Sequence, residues 1–328
     1  MPLVGLGSVA PLLVCPRCRC GIIETKGSFR CSSPTCSLGA RDAFPIVAGS
    51  PAFVDFERSV LQRGELQTTL GQATPPGEGR WSSKRLPGWI RSCWSPRNRV
   101  ASKNVDMLLS LLSGSAPLLL VIGGGTKGNG VDAIYTDRRP RVVAFDIYRS
   151  PLTQFIADAH HIPIASGSVD AVLIQAVLEH VLDPPRVVEE IQRVLRPGGL
   201  VYAETPFLQQ VHAGPYDFVR YTSSGHRYLF RAFEEISAGA VAGPGTQLLW
   251  SLDHAVRGLL RSELAGKLAR GLFFWLRYLD HLVPTPFAMD NASAYFFLGR
   301  RSDRELTPDE IIEYYRGAQQ SALDQRPH

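Results

Sequence analysis

The chain has 328 residues, 45% of them hydrophobic, which is enough to bury one full α/β core and a small second module. Its 35 Lys and Arg residues and 30 Asp and Glu residues give a formal charge of +5, too small a bias for dedicated nucleic-acid binding. Basic residues interrupt the hydrophobic stretch 248–283, so no window of ~20 uncharged apolar residues remains and we expect no membrane-spanning helix.

Five of the six cysteines lie between Cys15 and Cys36. Twelve residues separate Cys15-Pro-Arg-Cys18 from Cys31-x4-Cys36, the spacing of two knuckles on one tetrahedral ion, so we predict structural zinc on Cys15, Cys18, Cys31 and Cys36. Cys20 could replace Cys18, and a set of free thiols is the alternative. The apolar start of the chain lacks a basic leading region and a cleavage site, so we expect mature protein in a reducing, cytoplasmic compartment.

The composition divides the chain into four predicted segments. They are a zinc ribbon at 1–56, a basic linker or lid at 57–103, a main domain at 104–300 with a helical insertion at about 246–285, and a C-terminal helix and tail at 301–328. The stretch 80–103 has seven basic and no acidic residues, with Trp81, Trp89 and Trp94 between them. Such a segment could close over a cofactor, or its tryptophans could pack the linker onto the main domain.

The main domain alternates apolar runs with helical patterns. Strands are predicted over 118–122, 142–145, up to about 157, 171–175, 200–204 and 294–298. A helix is predicted over 105–112, and another begins at the capping residue Asp183 and ends before the turn 197–199. Strands that alternate with helices indicate the α/β class. We therefore predict a doubly wound, mostly parallel Rossmann-like sheet with helices on both faces.

The turn after the first of these strands forms the predicted ligand site. Gly123, Gly124 and Gly125 occupy this turn, where the lack of a Cβ lets a ligand approach the backbone. Asp146 ends the next strand, where a carboxylate can accept both hydroxyls of a ribose. Gly123, Gly125 and Gly128 also fit G-x-G-x-x-G with an acidic residue about 20 positions later, so a nicotinamide-dependent oxidoreductase is the first alternative.

The stretch 158–206, DAHHIPIASGSVDAVLIQAVLEHVLDPPRVVEEIQRVLRPGGLVYAETP, carries a more specific signal. It resembles the class I S-adenosylmethionine-dependent methyltransferases of the family that includes the ubiquinone and menaquinone methyltransferases. In that family an Asp-Ala follows the third strand, an apolar-Pro and a Ser-Val-Asp lead into the fourth, and Leu-Arg-Pro-Gly-Gly precedes the fifth. The resemblance covers about 105–233.

The resemblance implies S-adenosylmethionine-dependent methyl transfer and a set of cofactor contacts. The glycine turn would follow the methionine part, Asp146 would hold the ribose, and Asp158 with Ala159 would meet the adenine. The full predicted set is Gly123, Gly124, Gly125, Asp146, Ile147, Asp158, Ala159 and Gln175. This chain departs from the family at Val121, where an acidic residue is usual, and at Lys127, which replaces a glycine. A non-catalytic zinc-ribbon binding protein on a methyltransferase scaffold is the second alternative.

Candidate catalytic residues follow the fourth and fifth strands: they are His180, His212, Asp217, Arg220 and Tyr221. The segment 205–230 resembles methyltransferases of bacterial surface-glycan and specialised-metabolite synthesis, which implies a small or glycan-like acceptor methylated at oxygen. His180 or His212 could take the hydroxyl proton, and Asp217 could orient a histidine while Arg220 binds an anion. Asp217 and Arg220 could instead pair with each other. Glu179 could do no more than support the following helix.

Two flanking segments suggest partners. The N-terminal module, with its ending Phe44-Pro45-Ile46-Val47, resembles short zinc-ribbon proteins that stabilise methyltransferase partners, which implies a structural or docking role. In the stretch 248–283, Leu, Phe and Trp recur between five basic residues, namely Arg257, Arg261, Lys267, Arg270 and Arg277. This basic amphipathic pattern is typical of peripheral contact with an anionic membrane. Packing onto the protein's own core or a homodimer interface is the alternative.

Overall fold

The computed structural model describes residues 3–38, 43–66 and 97–320. The predicted tryptophan segment, with Trp81, Trp89 and Trp94, lies outside the described residues.

Strands β1 to β11 cover, in chain order, Ile22–Thr25, Ser28–Cys31, Ile46–Val47, Ser50–Pro51, Leu118–Ile122, Arg141–Asp146, Phe155–Ile156, Val169–Gln175, Leu195–Pro206, Phe233–Ala242 and Ala294–Arg301. Helices α1 to α9 cover Arg63–Glu65, Arg99–Leu111, Asp132–Thr136, Pro184–Val194, Ser223–Leu229, Pro244–Leu260, Glu263–Leu272, Thr285–Asp290 and Pro308–Glu313. Short 3-10 helices cover Leu6–Ser8, Ala10–Leu12, Ala159–His161, Leu178–His180, Gly214–Tyr216 and Phe274–His281.

Seven strands form one sheet in the order β10-β11-β9-β8-β5-β6-β7. The pairs from β9 to β7 are parallel, and β11 is antiparallel to both of its neighbours. The chain runs from β5 toward one edge and then returns to β8 on the other side of β5. The carboxyl ends of β5 and β8 therefore flank the switch point where doubly wound sheets bind ligands. The predicted Rossmann-like sheet is confirmed.

The central strands alternate their side chains between two cores. Leu118, Leu120 and Ile122 of β5 face one core together with α4. Leu119 and Val121 face the opposite core together with α2 and α3. Both sides of this parallel sheet are covered, which explains why all five positions of β5 are apolar and buried. Helices lie on both faces, as predicted.

The N-terminal module packs directly onto the main domain. Phe53 contacts Phe155 of β7 with ring centroids 5.6 Å apart, and its amide donates to the Ile156 carbonyl at 2.9 Å. Arg19, which follows the first cysteine pair, donates to the buried Glu190 of α4 at 2.9 Å. The module thus covers the sheet edge at β7, an edge that would otherwise expose unpaired backbone groups.

The predicted linker is partly ordered onto the main domain. Leu61 and Leu66 pack in one apolar cluster with Ile156 of β7. Helix α2 begins at Arg99 rather than near 105, because the Asn98 side chain accepts a hydrogen bond from the Ala101 amide at 2.9 Å and caps the helix. The two ends of the predicted linker therefore belong to packed structure.

Two further elements differ from the prediction. Helix α4 ends at Val194, and Leu195 already pairs with Val169 in the sheet. The predicted turn at 197–199 is present as a bulge inside β9: Gly198 has φ +71°, and the register against β8 jumps from Val169–Leu195 to Ala171–Leu200. Strand β10 was not predicted at all, and its small residues and two register shifts against β11 explain the weak alternating pattern.

The helical insertion runs over 244–290, somewhat beyond the predicted 246–285. It consists of α6, α7, the 3-10 helix Phe274–His281 and α8. Within the part of the chain that the structure describes, no helix has the length and apolar character needed to cross a membrane. Strand β11 is followed by α9, which starts with a reciprocal capping box between Thr307 and Glu310.

Candidate active site

The glycine turn after β5 and the end of β6 lie side by side. The Gly125 amide donates to Asp146 Oδ2 at 2.8 Å, and the Ile147 amide donates to Oδ1 at 2.7 Å. Gly123 has φ +74°, a conformation that a side chain would strain. Burial raises the pKa of Asp146 to about 6, although its three backbone hydrogen bonds oppose that shift. The two predicted parts of the cofactor site are therefore in direct contact.

Three side chains cover the glycine loop. A Cβ on Gly123 would collide with Val177, and one on Gly125 would collide with the ring of Tyr148. A Cβ on Gly128 would collide with Gln175. The glycines are thus needed for the packing of this loop as well as for any approach of a ligand.

The two departures from the family pattern have structural explanations. Lys127 lies with its Nζ 5.4 Å from the ring centroid of Tyr135, so its charge is directed toward α3. Val121 is buried on the α2 side of the sheet, next to Gly124. Neither side chain is directed at Asp146 in this arrangement.

The loop after β7 is held partly by the segment that follows the N-terminal module. The buried Asp158 carboxylate accepts hydrogen bonds from the Ser59 hydroxyl and from the His160 amide, the latter at 2.9 Å. His160 Nδ1 lies 2.6 Å from the same carboxylate, while its Nε2 accepts from the Asp183 amide at 3.2 Å. Ala159 is buried beside Asp158, whereas Ile147 is 44% exposed at the end of β6. Hydrogen bonds within the protein thus hold the Asp158 carboxylate in place.

Gln175 at the end of β8 takes part in a buried polar network. Its amide donates to Glu204 of β9 at 2.7 Å and to the Asn129 carbonyl at 3.1 Å. Glu204 also accepts from Asn98 at 3.0 Å and from the Tyr202 hydroxyl. Burial raises the pKa of Glu204. The predicted cofactor residue Gln175 therefore holds the glycine loop and α2 against the sheet.

A carboxylate and two imidazoles converge just beyond β8. Glu179 is 1% exposed, and its Oε1 lies 3.7 Å from His180 Nε2 and 3.8 Å from His212 Nε2. Burial raises the pKa of Glu179 to about 8 and lowers that of His180. The backbone at Ala176 has φ +54°, which is strained for a residue with a side chain. This bend places Val177 on Gly123 and so sets the cluster beside the glycine turn.

The other predicted catalytic residues surround this cluster. Asp217 forms two hydrogen bonds with Arg220 and accepts the His212 amide at 3.0 Å. The hydrogen bond from Arg220 lowers the pKa of Asp217 well below its usual range. Arg220 also donates to the Val219 carbonyl at 2.8 Å, so the structure favours its pairing with Asp217 over anion binding. Tyr221 packs against the apolar core instead of joining the cluster.

The four predicted zinc ligands converge in the N-terminal module. Their Sγ atoms all lie within 4.8 Å of one another. The distances are 3.7 Å between Cys15 and Cys36 and 3.3 Å between Cys18 and Cys31. Four thiolates about 2.3 Å from a tetrahedral zinc ion would lie roughly 3.8 Å apart, which these distances approach. Cys20 is exposed and lies outside the cluster.

Sequence reasoning missed four residues of this region. They are Ser59, Tyr148, Val177 and Glu204. Ser59 lies 99 positions from Asp158, so no local signal connects the two. Tyr148 and Val177 each follow a strand end closely, and their proximity to the predicted turn was the available hint.

The middle of the chain is similar in sequence to known methyltransferases. Residues 121–203 match the family model described as a methyltransferase domain. An uncharacterized methyltransferase of Mycobacterium tuberculosis (strain ATCC 25618 / H37Rv) is 38% identical over 99 residues, which are 27% of this chain and 40% of that protein. A demethylmenaquinone methyltransferase of Beutenbergia cavernae is 40% identical over 122 residues, which are 33% of this chain and 51% of that protein. The chain spans about half or less of the length of these relatives.

Solved structures resemble the chain at lower similarity. Geranyl diphosphate C-methyltransferase of Streptomyces coelicolor A3(2) has a TM-score of 0.42 and 13% identity, over 69% of this chain and 88% of that chain. Phosphoethanolamine N-methyltransferase 2 of Haemonchus contortus has a TM-score of 0.41 and 13% identity, over 67% of this chain and 61% of that chain. Residues 121–203 are therefore similar in sequence to methyltransferase domains.

Proposed function

We propose that this protein transfers a methyl group from S-adenosylmethionine to oxygen in a small or glycan-like acceptor. The observation that carries the proposal is the 2.8 Å contact between the Gly125 amide and Asp146 at the switch point of the sheet. S-adenosylmethionine, when bound, supplies an electrophilic methyl group on a sulfonium. A carboxylate has about four acceptor positions, so the three backbone hydrogen bonds to Asp146 leave about one for a ribose hydroxyl. Asp158 and Ala159 would border the adenine of the cofactor. The glycine turn would border its methionine part.

The acceptor hydroxyl would have to lose a proton. His180 and His212 are the proposed proton acceptors, since both Nε2 atoms lie within 4 Å of the Glu179 carboxylate and both side chains are partly exposed. Asp217 would keep His212 in place, because its carboxylate accepts a hydrogen bond from the His212 backbone amide at 3.0 Å. Because Arg220 is engaged by Asp217, we assign it a supporting role in this arrangement.

We also propose that Cys15, Cys18, Cys31 and Cys36 bind one structural zinc ion. The converging sulfur atoms support this, and four protein ligands leave no position for a substrate. The module packs through Phe53 onto Phe155, so the zinc would stabilise the layer that covers β7. Thiolate ligation of this kind fits a reducing, cytoplasmic compartment.

The surface of α6 and α7 supports a proposal of peripheral membrane contact. Leu264, Leu268 and Leu272 are spaced four residues apart on α7 and are 60 to 70% exposed. Leu259 and Leu260 at the end of α6 are 83 and 65% exposed. Arg261 and Lys267 border these leucines, a pattern that suits an anionic bilayer. A second copy of the chain is the competing occupant of this face.

Vesicle sedimentation would test the membrane proposal. We expect binding to vesicles that contain phosphatidylglycerol, and its loss in the Leu264→Ser, Leu268→Ser double variant. Leu182→Ser, which changes an equally exposed leucine far along the chain, should bind like the wild type. Equal vesicle binding by both variants would refute the proposal. If the wild-type protein is a dimer and only the double variant is a monomer, the face would be assigned to contact with a second copy.

Calorimetry with S-adenosylmethionine, S-adenosylhomocysteine and NAD would test the main proposal. We expect binding of the first two, loss of that binding in Asp146→Ala, and no change in Asp106→Asn, a control on the exposed surface of α2. Binding of NAD alone would establish the oxidoreductase alternative, and binding of none of the three would favour a non-catalytic protein. Mass spectrometry of metabolites incubated with an isotopically labelled methyl donor would then identify the acceptor.

A further inference from the structure

The cluster just beyond β8 contains a buried carboxylate whose oxygens lack hydrogen-bond partners. Among the described residues, neither Oε1 nor Oε2 of Glu179 accepts a hydrogen bond, although the side chain is 1% exposed. Leaving such a group unsatisfied is costly, more so when it is charged. A cation beside Glu179 would remove that cost.

The two imidazoles beside Glu179 present nitrogen lone pairs to it. His180 Nδ1 lies 2.7 Å from the Tyr216 carbonyl oxygen, which can only accept, so the proton of the neutral ring is on Nδ1. His212 Nδ1 likewise faces the Gln210 carbonyl at 3.4 Å and Asp217 Oδ2 at 3.5 Å. Both Nε2 atoms are therefore free to donate an electron pair.

We propose that Glu179, His180 and His212 bind a divalent transition-metal ion through one carboxylate oxygen and the two Nε2 atoms. These three ligand atoms lie within 4.8 Å of one another. Two bonds of about 2.1 Å to a common ion can span up to roughly 4.2 Å. The distances of 3.7 and 3.8 Å from Glu179 Oε1 to the two imidazoles fall within that reach.

The surroundings resemble the outer shell of a metal site. Metal-binding histidines generally donate a hydrogen bond from their second ring nitrogen to a carbonyl or a carboxylate. Here Nδ1 of His180 faces a carbonyl and Nδ1 of His212 faces a carboxylate. Asp217 is in turn fixed by Arg220. The imidazole side chains are 26 and 37% exposed, so the outer side of the cluster remains open to further ligands such as water or a substrate oxygen.

The ligand chemistry selects the class of metal. Two imidazoles and one carboxylate suit Zn²⁺, Fe²⁺, Co²⁺ or Mn²⁺, whereas Ca²⁺ and Mg²⁺ prefer oxygen ligands throughout. The site is separate from the four cysteines, which supply only sulfur. If the proposed methyl transfer holds, an ion in this cluster would bind the acceptor hydroxyl and ease its deprotonation, and His180 and His212 would then act as ligands in place of the proton-acceptor role proposed above for the metal-free cluster.

Cobalt titration would test the site without any cofactor or acceptor. The protein as purified would be freed of loosely bound metal on a weak chelating resin and titrated with Co²⁺, followed by calorimetry and visible absorption. We expect one ion per chain with nitrogen and oxygen ligation, and no thiolate-to-cobalt charge-transfer band. His212→Gln, at a partly exposed position, and Glu179→Gln should each weaken binding at least about tenfold. His254→Gln, an exposed histidine on α6, should leave it unchanged.

Three results would overturn the proposal. They are no cobalt binding by the wild-type protein, a charge-transfer band that assigns the ion to cysteine, or unchanged affinity in a folded His212→Gln protein. Circular dichroism would verify the fold of each variant. Because the titration needs no S-adenosylmethionine, its failure would leave the proposed methyl transfer standing, and cobalt binding would persist in a protein that proved unable to transfer methyl groups.

Discussion

The hydroxyl of Ser59 donates a hydrogen bond to the buried carboxylate of Asp158. Ser59 belongs to the segment that follows the N-terminal module, and Asp158 lies in the loop proposed to border the adenine. The segment that directly follows the cysteine-rich module is therefore in contact with the proposed cofactor site. A change on one side should be measurable on the other.

Ser59→Ala should weaken the binding of S-adenosylmethionine. Loss of a hydrogen bond to a buried carboxylate costs about 1–3 kcal/mol, part of which should appear as a severalfold rise in Kd. Calorimetry would measure Kd, and differential scanning fluorimetry would report the accompanying fall in Tm. Ser110→Ala removes a hydroxyl from the exposed surface of α2 and serves as the control. Equal affinities in the two variants would show that the contact has no influence on the cofactor.

Binding of S-adenosylmethionine should depend on the charge of Asp146. With a pKa of about 6 in the folded protein, the carboxyl is charged above that value and neutral below it. We expect a constant Kd above about pH 7 and a rise approaching tenfold for each pH unit below about 6. Asp146→Asn should bind weakly with little dependence on pH over the same range. A flat wild-type profile from pH 8 to about pH 5 would disprove the ribose assignment.

The same carboxyl should affect stability in the opposite direction. The folded protein keeps this proton up to about pH 6, whereas an unfolded Asp releases it near 3.8. The free energy of unfolding should therefore fall between about pH 4 and pH 6 as far as this group is concerned. In ligand-free protein, Asp146→Asn should remove that decline, so its stability relative to the wild type should rise with pH. Urea unfolding at several pH values would measure the difference.

Zinc removal should destabilise the whole chain and not only its first residues. Phe53 packs the module onto Phe155 in the core of the main domain, so loss of the metal should lower one cooperative transition. Cys31→Ser should lose zinc, as measured by inductively coupled plasma mass spectrometry, and should unfold at lower temperature. Cys20→Ser, which changes an exposed thiol outside the cluster, should keep one zinc per chain. Equal zinc content in both variants would argue against the four-cysteine site.

Asp217→Asn should lower both turnover and stability. The Arg220 hydrogen bond depresses the pKa of Asp217 in the folded protein. The ion pair therefore stabilises the fold fully at pH values above the pKa of an unfolded Asp, and this stabilisation is lost as the pH falls below about 4. The difference in stability between the wild type and the variant should be present at pH 7 and shrink in acid. Arg220→Lys keeps the charge but not the paired geometry and should show an intermediate effect. Chemical unfolding at pH 7 and below about pH 4 would measure the difference in stability, and steady-state kinetics would measure turnover.

The sequence predicted local features well where each depends on neighbouring residues. The spacing of Cys15, Cys18, Cys31 and Cys36 anticipated their convergence. The apolar run of β5, the glycine turn and Asp146 anticipated the contact at the switch point. The predicted turn at 197–199 is present as a bulge, but the pairing of Leu195 with Val169 ahead of it was not predicted, because a local glycine signal contains no information about that pairing.

By itself, the sequence determined the alternation of strands and helices, the cysteine pairs and the position of the glycine turn, since residue spacing encodes the periods of helices and strands and the geometry of knuckles. Only the tertiary structure decided that Glu179, His180 and His212 meet, that Arg220 is engaged by Asp217, and that Ser59 reaches Asp158. The contacts of Glu179 with His212 and of Ser59 with Asp158 join segments far apart in the chain, whereas Asp217 and Arg220 lie three positions apart and their pairing was one of two alternatives that the sequence left open. Their formation depends on how the layers pack and on which buried polar groups must be satisfied, and neither can be deduced from a local pattern.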